Sequence, residues 1–302
     1  MVRKWTVRIV VSLLLIAALL YSFNPASVLS IILSARPEYL LLAASVYSIT
    51  LLMLSMRWRM ILHDMGEELS LLSAYQAFAG GMILSDLTPG RVGELSRPFL
   101  VRDRVDLGRG MASVALDRYS DILTIFILGT TGMLFFAEDT PYLLPASLTV
   151  LTIVMASVAL WLSRKAVLER LDRLGSSHLS RIAHSLDVAI CEVDSIEVLL
   201  LRSVLLTALA WIAHALRVYL IASSVGYFPP VQMLFMLQPL VSALSLIPVT
   251  VSGLGLVEGG LVALLAGLGV PAAAGISIAL LDRVITAAFH LFAGWHAASR
   301  SL

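Results

Sequence analysis

Long runs of apolar residues dominate the pattern of hydrophobic and polar positions along this chain. A helix needs about 20 such residues to cross the ~30 Å hydrocarbon core of a bilayer. Six runs are long enough, and they cover 5–23, 37–56, 110–136, 141–163, 203–225 and 272–296. Arg3 and Lys4 precede the first run, but no small-x-small cleavage pattern follows it, so we interpret it as a signal anchor. The pattern therefore predicts six transmembrane helices.

Two further apolar stretches, 72–104 and 231–269, are interrupted near their middle. The interrupting residues are Pro89 and Gly90 in the first stretch and Pro248, Gly253 and Gly255 in the second. Proline removes a backbone donor and glycine loosens a helix, so each stretch is expected to form two half-helices. Each half holds roughly 12–17 residues, or about 18–25 Å of helix, which is too short to cross comfortably. We therefore predict two re-entrant helical hairpins.

The distribution of basic residues supports this topology. We place the N-terminus in the cytoplasm and let each hairpin return to its own side, which leaves Arg36 as the basic residue outside. The cytoplasmic side then receives Arg3, Lys4, Arg57, Arg59, Arg97, Arg102, Arg104, Arg109, Arg164, Lys165, Arg170, Arg173, Arg181, Arg202 and Arg300. Cytoplasmic loops are enriched in lysine and arginine. We expect a multi-pass protein of the plasma membrane with both termini in the cytoplasm.

One polar segment, 164–197, separates the apolar runs. Apolar residues recur in it at helical spacing, which predicts an amphipathic cytoplasmic linker after a break at Gly175. This helix either lies on the bundle and the membrane surface or serves as a partner site. We predict that 1–302, including this linker, forms a single transmembrane domain.

Composition leads to the same class of protein. Hydrophobic residues make up 59% of the chain and charged residues 14%, and the mean hydropathy is +0.93. Soluble domains average about 45–50% apolar and about 25% charged residues, so a soluble fold is excluded. The net charge of +1 gives no indication of nucleic-acid binding, and the single Cys191 excludes an intramolecular disulfide.

The two interrupted stretches resemble each other. Each contains Leu-Ser, then a proline, then a glutamate, and is followed by Asp-Arg: Leu84, Ser85, Pro89, Glu94, Asp117 and Arg118 correspond to Leu244, Ser245, Pro248, Glu258, Asp282 and Arg283. Three predicted spans lie between them, so the second copy enters the bilayer from the opposite side. We predict an inverted-topology repeat, about 37–136 and 203–296, as in many transporters. Chance similarity between apolar segments is the alternative, and the paired Asp-Arg dipeptides favour the repeat.

Several charged residues fall inside predicted spans, where each costs at least ~2.5–3.5 kcal/mol on insertion scales. Arg283 lies about 11 residues into its span, which places it some 16 Å below the membrane surface. We expect ion pairs between Glu94 and Arg118 and between Glu258 and Arg283 that lock each hairpin to the following helix; direct contact with substrate is the alternative. Asp282 points about 100° away from Arg283, which predicts a different partner.

Arg91 directly follows Pro89 and Gly90, where the second half-helix of the first hairpin should begin. Helix N-termini attract phosphate, and a guanidinium adds bidentate contact. The alternative is an arginine that caps neighbouring carbonyls or extends to the interface. The second break offers similar backbone geometry at Gly253 and Gly255 without an arginine. Glutamates in the first turn of each half-helix also complement the helix dipole.

Other polar residues carry weaker indications. Arg217 follows Trp211 and His214 on one helical face, a stripe that suits either a lipid head group or the outer interface. His290 and His296 are expected to be satisfied core or interface residues. Asp117 and Asp121, one turn apart, are a weak metal pair, so we predict neither a metal nor a cofactor.

Four motifs make the chain recognisable. They are Leu87–Arg97 (LTPGRVGELSR), Ser113–Arg118 (SVALDR), Ser252–Gly260 (SGLGLVEGG) and Leu281–Arg283 (LDR). In this order they resemble the lysylphosphatidylglycerol synthase transmembrane region, also called the flippase-like family. The resemblance implies movement of lipids between leaflets, either aminoacylated phosphatidylglycerol or polyprenyl-phosphate sugars. The sequence contains no counterpart of the soluble aminoacyl-transfer domain of the full synthases, so we expect no synthase activity.

These observations lead to a functional hypothesis. We expect a lipid flippase or transporter whose partner is a membrane lipid with an anionic, phosphate-bearing head group. The predicted head-group residues are Arg91, Arg118, Arg217 and Arg283. The predicted structural or gating residues are Pro89, Gly90, Gly93, Glu94, Asp117, Asp121, Gly253, Gly255, Glu258 and Asp282. We predict no catalytic residue and no nucleic-acid partner, and we consider homo-oligomers or partner glycosylation and aminoacyl-transfer enzymes.

Two alternatives stay open at this point. The first is a membrane-embedded lipid-modifying transferase, which the polar residues Asp103, Asp106, Asp117 and Asp121 motivate. The second is a structural or assembly subunit, in which changes to the buried charges would affect stability alone.

Overall fold

The structure, a computed structural model, describes 25–135, 195–247 and 249–301 together with Tyr21, Thr152, Met155, Ala159, Ser163 and Val193. These residues form α- and 3-10 helices. The α-helices are α1 (Pro25–Leu33), α2 (Pro37–Asp64), α3 (Leu71–Leu87), α4 (Arg97–Leu100), α5 (Leu107–Phe135), α6 (Ile196–Ser224), α7 (Val231–Ala243), α8 (Leu256–Gly267) and α9 (Ala272–Ser301). The predicted spans 5–23 and 141–163 and the linker 164–197 lie almost entirely outside the described residues, as does Pro248.

Three of the described helices are long and apolar enough to cross a membrane: α2, α6 and the Ala272–Trp295 part of α9. They correspond to the predicted spans 37–56, 203–225 and 272–296. Helix α5 has 29 residues and is equally long, but charged residues interrupt its N-terminal half. The prediction of a helical, multi-pass membrane protein is therefore confirmed, while the full count of six spans stays a prediction.

Helices α2, α6 and α8 end in the same way. After each one, a glycine with positive φ follows closely: Gly66 at 79°, Gly226 at 87° and Gly269 at 83°. In α6, the Tyr227 N–H donates to the Ala222 carbonyl at 3.0 Å and the Gly226 N–H to Ser223 at 3.1 Å. This left-handed cap satisfies the last carbonyls and turns the chain sharply into the next helix.

The two interrupted stretches differ in their second half. In the second stretch, α7 and a 3-10 turn (Leu244–Leu246) precede the break and the regular helix α8 follows it, as predicted. In the first stretch, α3 is followed by a 3-10 turn (Val92–Ser96) and the single-turn α4, so the expected half-helix starting at Arg91 is wrong. Pro98 explains the difference, because a helix beginning at Arg91 would place this donor-less residue in its interior.

Each interrupted stretch makes its most extensive contacts with a helix from the other half of the molecule. One apolar core joins α2, α3 and α5, and another joins α6, α7, α8 and α9. The two halves, α1–α5 and α6–α9, pack through α2 against α6, through α3 against α9 and through α5 against α7. At Gly294 of α9 a Cβ would lie 2.5 Å from the backbone of Gly80 on α3, so these helices touch through their backbones. Small residues give membrane helices this close packing.

Candidate functional site

The two chain breaks meet in space. Pro89 and Val251 form an antiparallel bridge, and the Ser252 N–H donates to the Thr88 carbonyl at 3.1 Å. Beside this contact, between the two halves, lies a cavity of about 190 Å³. Pockets that enclose a drug-sized ligand measure roughly 300–1,000 Å³, so this one suits a small head group rather than a whole lipid.

All four arginines that the sequence predicted for head-group binding, Arg91, Arg118, Arg217 and Arg283, line this one cavity. Apolar side chains complete its wall, among them Leu54, Phe78, Met82, Ile122, Ile125 and Leu261. The cavity therefore combines an apolar wall with fixed charges, a lining that matches a polar group attached to a hydrocarbon chain.

Asp117 of α5 is the centre of the first charge network. It is fully buried and accepts from Arg57 Nε at 2.8 Å, Arg97 Nη1 at 2.7 Å and Arg118 Nη2 at 3.0 Å. Asp121, one turn later, pairs with Arg118 at 2.6 Å and also with Arg57. Both carboxylates are thus paired with arginines, which accounts for the two acidic residues inside this long helix.

Glu94 connects the segment after the first break to this charge network through ion pairs. Its Oε2 lies 2.6 Å from Arg118 Nη1, the pair predicted from the sequence, and it also bonds to Arg97. The Arg97 guanidinium in turn stacks over the Phe78 ring at 3.8 Å. Cation–π contact and buried ion pairs together hold the segment after the break onto α3 and α5.

Arg57 and Arg97, which the sequence placed on the cytoplasmic side, do not lie in exposed loops. Both side chains are buried and 0% exposed. Helix α2 continues to Asp64, beyond the predicted end of its span, so Arg57 lies within it. The sequence did contain an indication: Glu94, Asp117 and Asp121 outnumber their one expected partner, and three buried carboxylates need further cations.

The second half holds a simpler set of pairs. Arg217 Nε donates to Asp282 Oδ1 at 2.7 Å, whereas Arg283 Nε donates to Glu258 Oε1 at 2.8 Å. Asp282 and Arg283 therefore have different partners, as the helical geometry predicted. Glu258 Oε2 also accepts from the Gly255 N–H at 2.7 Å. The backbone donor that we expected to be free for phosphate is thus capped by the protein's own glutamate.

Arg91 differs from the other arginines of the cavity. Its backbone has φ 57°, and Ser252 in the opposite break has φ 49°. Such left-handed conformations cost non-glycine residues of order 1–3 kcal/mol and cluster at functional sites. The Arg91 Nε is buried, and within the described ranges it makes no hydrogen bond and Arg91 no ion pair. An unpaired guanidinium therefore faces the cavity.

Gly93 helps to fix this conformation. Its N–H donates to Thr88 Oγ1 at 2.7 Å, which closes the turn around Pro89, Gly90 and Arg91. A Cβ on Gly93 would overlap the backbone of Leu84 and Ser85. Glycine is required here because the turn lies directly against α3.

Three hydrogen-bonded side chains in the cavity wall, Asp86, His290 and Tyr47, were not predicted from the sequence as a group. Asp86 Oδ2 lies 2.6 Å from His290 Nδ1, and His290 Nε2 lies 2.5 Å from the Tyr47 hydroxyl. The Arg217 guanidinium stacks over the Tyr47 ring at 4.7 Å and contacts His214 Nδ1 at 2.9 Å. His290 is buried and hydrogen-bonded through both ring nitrogens, as expected. The indication that we overlooked is Asp86, a carboxylate inside an apolar stretch.

Comparison with known sequences places the chain among membrane proteins. The sequence profile described as "Lysylphosphatidylglycerol synthase TM region" matches residues 5–294. A UPF0104 membrane protein of Methanothermobacter thermautotrophicus is 23% identical over 95% of this chain and 92% of its own length. A UPF0104 membrane protein of Pyrococcus horikoshii is 22% identical over 92% of this chain and 91% of its own length.

Proposed function

This chain belongs to the family of lysylphosphatidylglycerol synthase transmembrane regions, and we propose that it moves a phosphate-bearing lipid between the leaflets of its membrane. The substrate class is an aminoacyl-phospholipid or a polyprenyl-phosphate sugar. The observation that carries this proposal is Arg91, a guanidinium without a carboxylate partner among the described residues, at the break that faces the cavity.

The head group and the chains of the lipid occupy different environments in this proposal. The cavity of about 190 Å³ receives the phosphate, while the acyl or prenyl chains stay in the bilayer. Arg91 binds two phosphate oxygens in bidentate geometry. The side chains of Arg118 and Arg283 are 24% and 27% exposed, so each offers further donors while keeping its carboxylate. With Arg217 they form a path of fixed positive charge for the head group.

The architecture suits alternating access. We propose six spans and two re-entrant hairpins in an inverted repeat, with both termini on the cytoplasmic side of the plasma membrane. The contact between the breaks at Pro89 and Val251 lies beside the cavity, which supports a binding site where interrupted segments meet. Rocking of one half against the other would open this contact, with Gly90, Gly93, Gly253 and Gly255 in the moving turns.

A lipid-modifying transferase is the second candidate, favoured by the word synthase in the family's name. The two of its four candidate acid–base residues that reach the buried network are, however, already engaged: Asp117 contacts three arginines and Asp121 two. We therefore propose that the chain is not itself an enzyme and that it works with separate glycosylation or aminoacyl-transfer enzymes or with further copies of itself. Turnover of a lipid and an activated donor by the purified protein would contradict this.

Transfer in proteoliposomes tests the proposal. Fluorescent phosphatidylglycerol in the inner leaflet becomes accessible to a membrane-impermeant quencher only when it crosses. We expect Arg91→Gln to lower the transfer rate at least about tenfold, as loss of a charged contact of about 1.5–3 kcal/mol implies. Arg91→Lys should keep part of the rate, because the charge remains and the bidentate geometry does not.

The matched control is Arg102→Gln, the same change at an exposed arginine outside the cavity. It should transfer lipid at the wild-type rate. A folded Arg91→Gln protein that transfers as fast as the control would remove Arg91 from the site.

A further inference from the structure

The charges at the cavity balance in the described part of the chain. Six arginines and six carboxylates line the cavity or belong to the ion-pair networks that reach it: Arg57, Arg91, Arg97, Arg118, Arg217, Arg283, Asp86, Glu94, Asp117, Asp121, Glu258 and Asp282. Five of the arginines form ion pairs with five of the carboxylates. Arg91 and Asp86 remain, one cation and one anion.

Asp86 is held by a histidine rather than by an arginine. His290 Nδ1 lies 2.6 Å from Asp86 Oδ2, so this nitrogen carries the hydrogen and donates it. The other ring nitrogen, Nε2, lies 2.5 Å from the Tyr47 hydroxyl, which donates to it when the imidazole is neutral. When Nε2 gains a proton, this hydrogen bond reverses and the tyrosine oxygen accepts. His290 therefore keeps both hydrogen-bond partners, Asp86 and Tyr47, whether its imidazole is neutral or protonated.

Among the residues that the structure describes, the surroundings of His290 supply no other carboxylate without an arginine partner. The charged or titratable groups that face it from the elements packed against α9 are Asp86, Tyr47, His214, Arg217, Asp282, Arg283 and Arg91. Asp282 is paired with Arg217, and Glu258 of α8 is paired with Arg283. Arg97 of α4 is held by Glu94 and Asp117, and α1 carries no charged residue.

From this balance we propose that Asp86, His290 and Tyr47 form a proton-binding site, and that one proton enters it when an anionic head group binds at Arg91. A phosphodiester brings one negative charge and pairs with Arg91, which leaves the charge of Asp86 uncompensated beside the apolar wall of the cavity. Protonation forms one N–H bond at His290 Nε2, with the proton taken from water, and restores neutrality.

The two binding events are therefore linked. If the head group favours the protonated site, the proton favours the bound head group by the same factor. Affinity for an anionic lipid should fall about tenfold for each pH unit above the range in which the free site takes up its proton. A lipid transporter built in this way couples transfer to a proton gradient, and in this respect the inference rests on the proposed function.

Proton counting during binding tests the inference. Short-chain phosphatidylglycerol is titrated into the purified protein in buffers of different ionisation enthalpy, and the dependence of the heat on the buffer gives the number of protons taken up. We expect about one proton for the wild-type protein at neutral pH. His290→Gln should take up none and should bind weakly at every pH. His63→Gln, at an exposed histidine whose side chain is 64% accessible, should behave like the wild type.

Asp86→Asn separates the charge argument from simple damage to the site. Removing the negative charge leaves Arg91 free for the lipid without any proton. This variant should bind tightly, independently of pH and without proton uptake, whereas His290→Gln binds weakly and independently of pH. Substitutions at two hydrogen-bonded partners, Asp86 and His290, thus shift the affinity for the lipid in opposite directions. Unfolding would not produce this result.

The outcomes distinguish this inference from the proposed function. Binding by the wild-type protein without proton uptake would overturn the proton site and leave lipid transfer standing. Proton uptake that persists in folded His290→Gln would overturn it equally. Failure of the wild-type protein to bind any phosphate-bearing lipid would contradict the proposed function and the linkage together.

Discussion

The ion pair between Glu258 and Arg283 offers a quantitative test of how the buried charges contribute to stability. The Glu258 side chain is 9% exposed, and it accepts from Arg283 and from the Gly255 N–H. Arg283→Gln removes its cation and leaves a buried carboxylate, which costs about 3–5 kcal/mol. Glu258→Gln should cost less, about 1–3 kcal/mol, because the amide oxygen still caps α8 and the 27% exposed Arg283 side chain reaches the cavity.

The double variant should be milder than the sum of its parts. With both residues as glutamine no charge is buried, so we expect a loss of about 1–3 kcal/mol and a coupling energy of about 4 kcal/mol. Unfolding by a denaturing detergent in mixed micelles, followed by tryptophan fluorescence, measures all four free energies.

A second cycle serves as the control. Asp103 and Arg104 also form an ion pair, at 3.5 Å, but their side chains are 71% and 49% exposed. Exposed pairs contribute little, so the coupling energy of this pair should be close to zero. Losses at Glu258 and Arg283 that simply add would refute the claim that these residues act as a pair.

Two further predictions address topology and the first break. In a protein whose Cys191 has been replaced by serine, a cysteine introduced at Arg104 should be shielded from an impermeant thiol reagent in intact cells, and one at Tyr227 should react. Labelling at Arg104 from outside would contradict the first hairpin. Gly93→Ala should destabilise the protein or prevent its folding, because its Cβ meets backbone, while Gly259→Ala, with open space around it, should be neutral or stabilising by up to about 1 kcal/mol in thermal unfolding.

The sequence predicted those features that depend on local periodicity and on fixed spacing. Helical geometry predicted the apolar spans of α2, α6 and α9 and the two breaks. The cost of a charge in lipid predicted the contacts Glu94–Arg118 and Glu258–Arg283. The sequence did not predict the contacts between segments that are far apart along the chain. Arg57 pairs with Asp117 across 60 residues, and Asp86 meets His290 across 204, distances along the chain at which periodicity carries no information.

Local backbone geometry after the first break was also beyond the sequence argument. The motif after Pro89 predicted a half-helix by analogy with the second stretch, yet Pro98 limits it to a 3-10 turn and one turn of α4. The left-handed conformation of Arg91, which turns it into the cavity, depends on the fit of Gly93 against Leu84. Such a fit is set by tertiary packing rather than by residue order.

The central claim, that a lipid phosphate binds at Arg91, is tested most directly by the distance between the two groups. Protein labelled with ¹⁵N in its arginine side chains, reconstituted in phosphatidylglycerol bilayers, allows ³¹P–¹⁵N dipolar recoupling by solid-state NMR. Subtracting the spectrum of Arg91→Gln from that of the wild type isolates this guanidinium. We expect dephasing that corresponds to a phosphorus–nitrogen distance of about 4 Å, as a bidentate phosphate contact requires. A difference spectrum without such dephasing, while the wild-type protein continues to transfer lipid, would contradict the account.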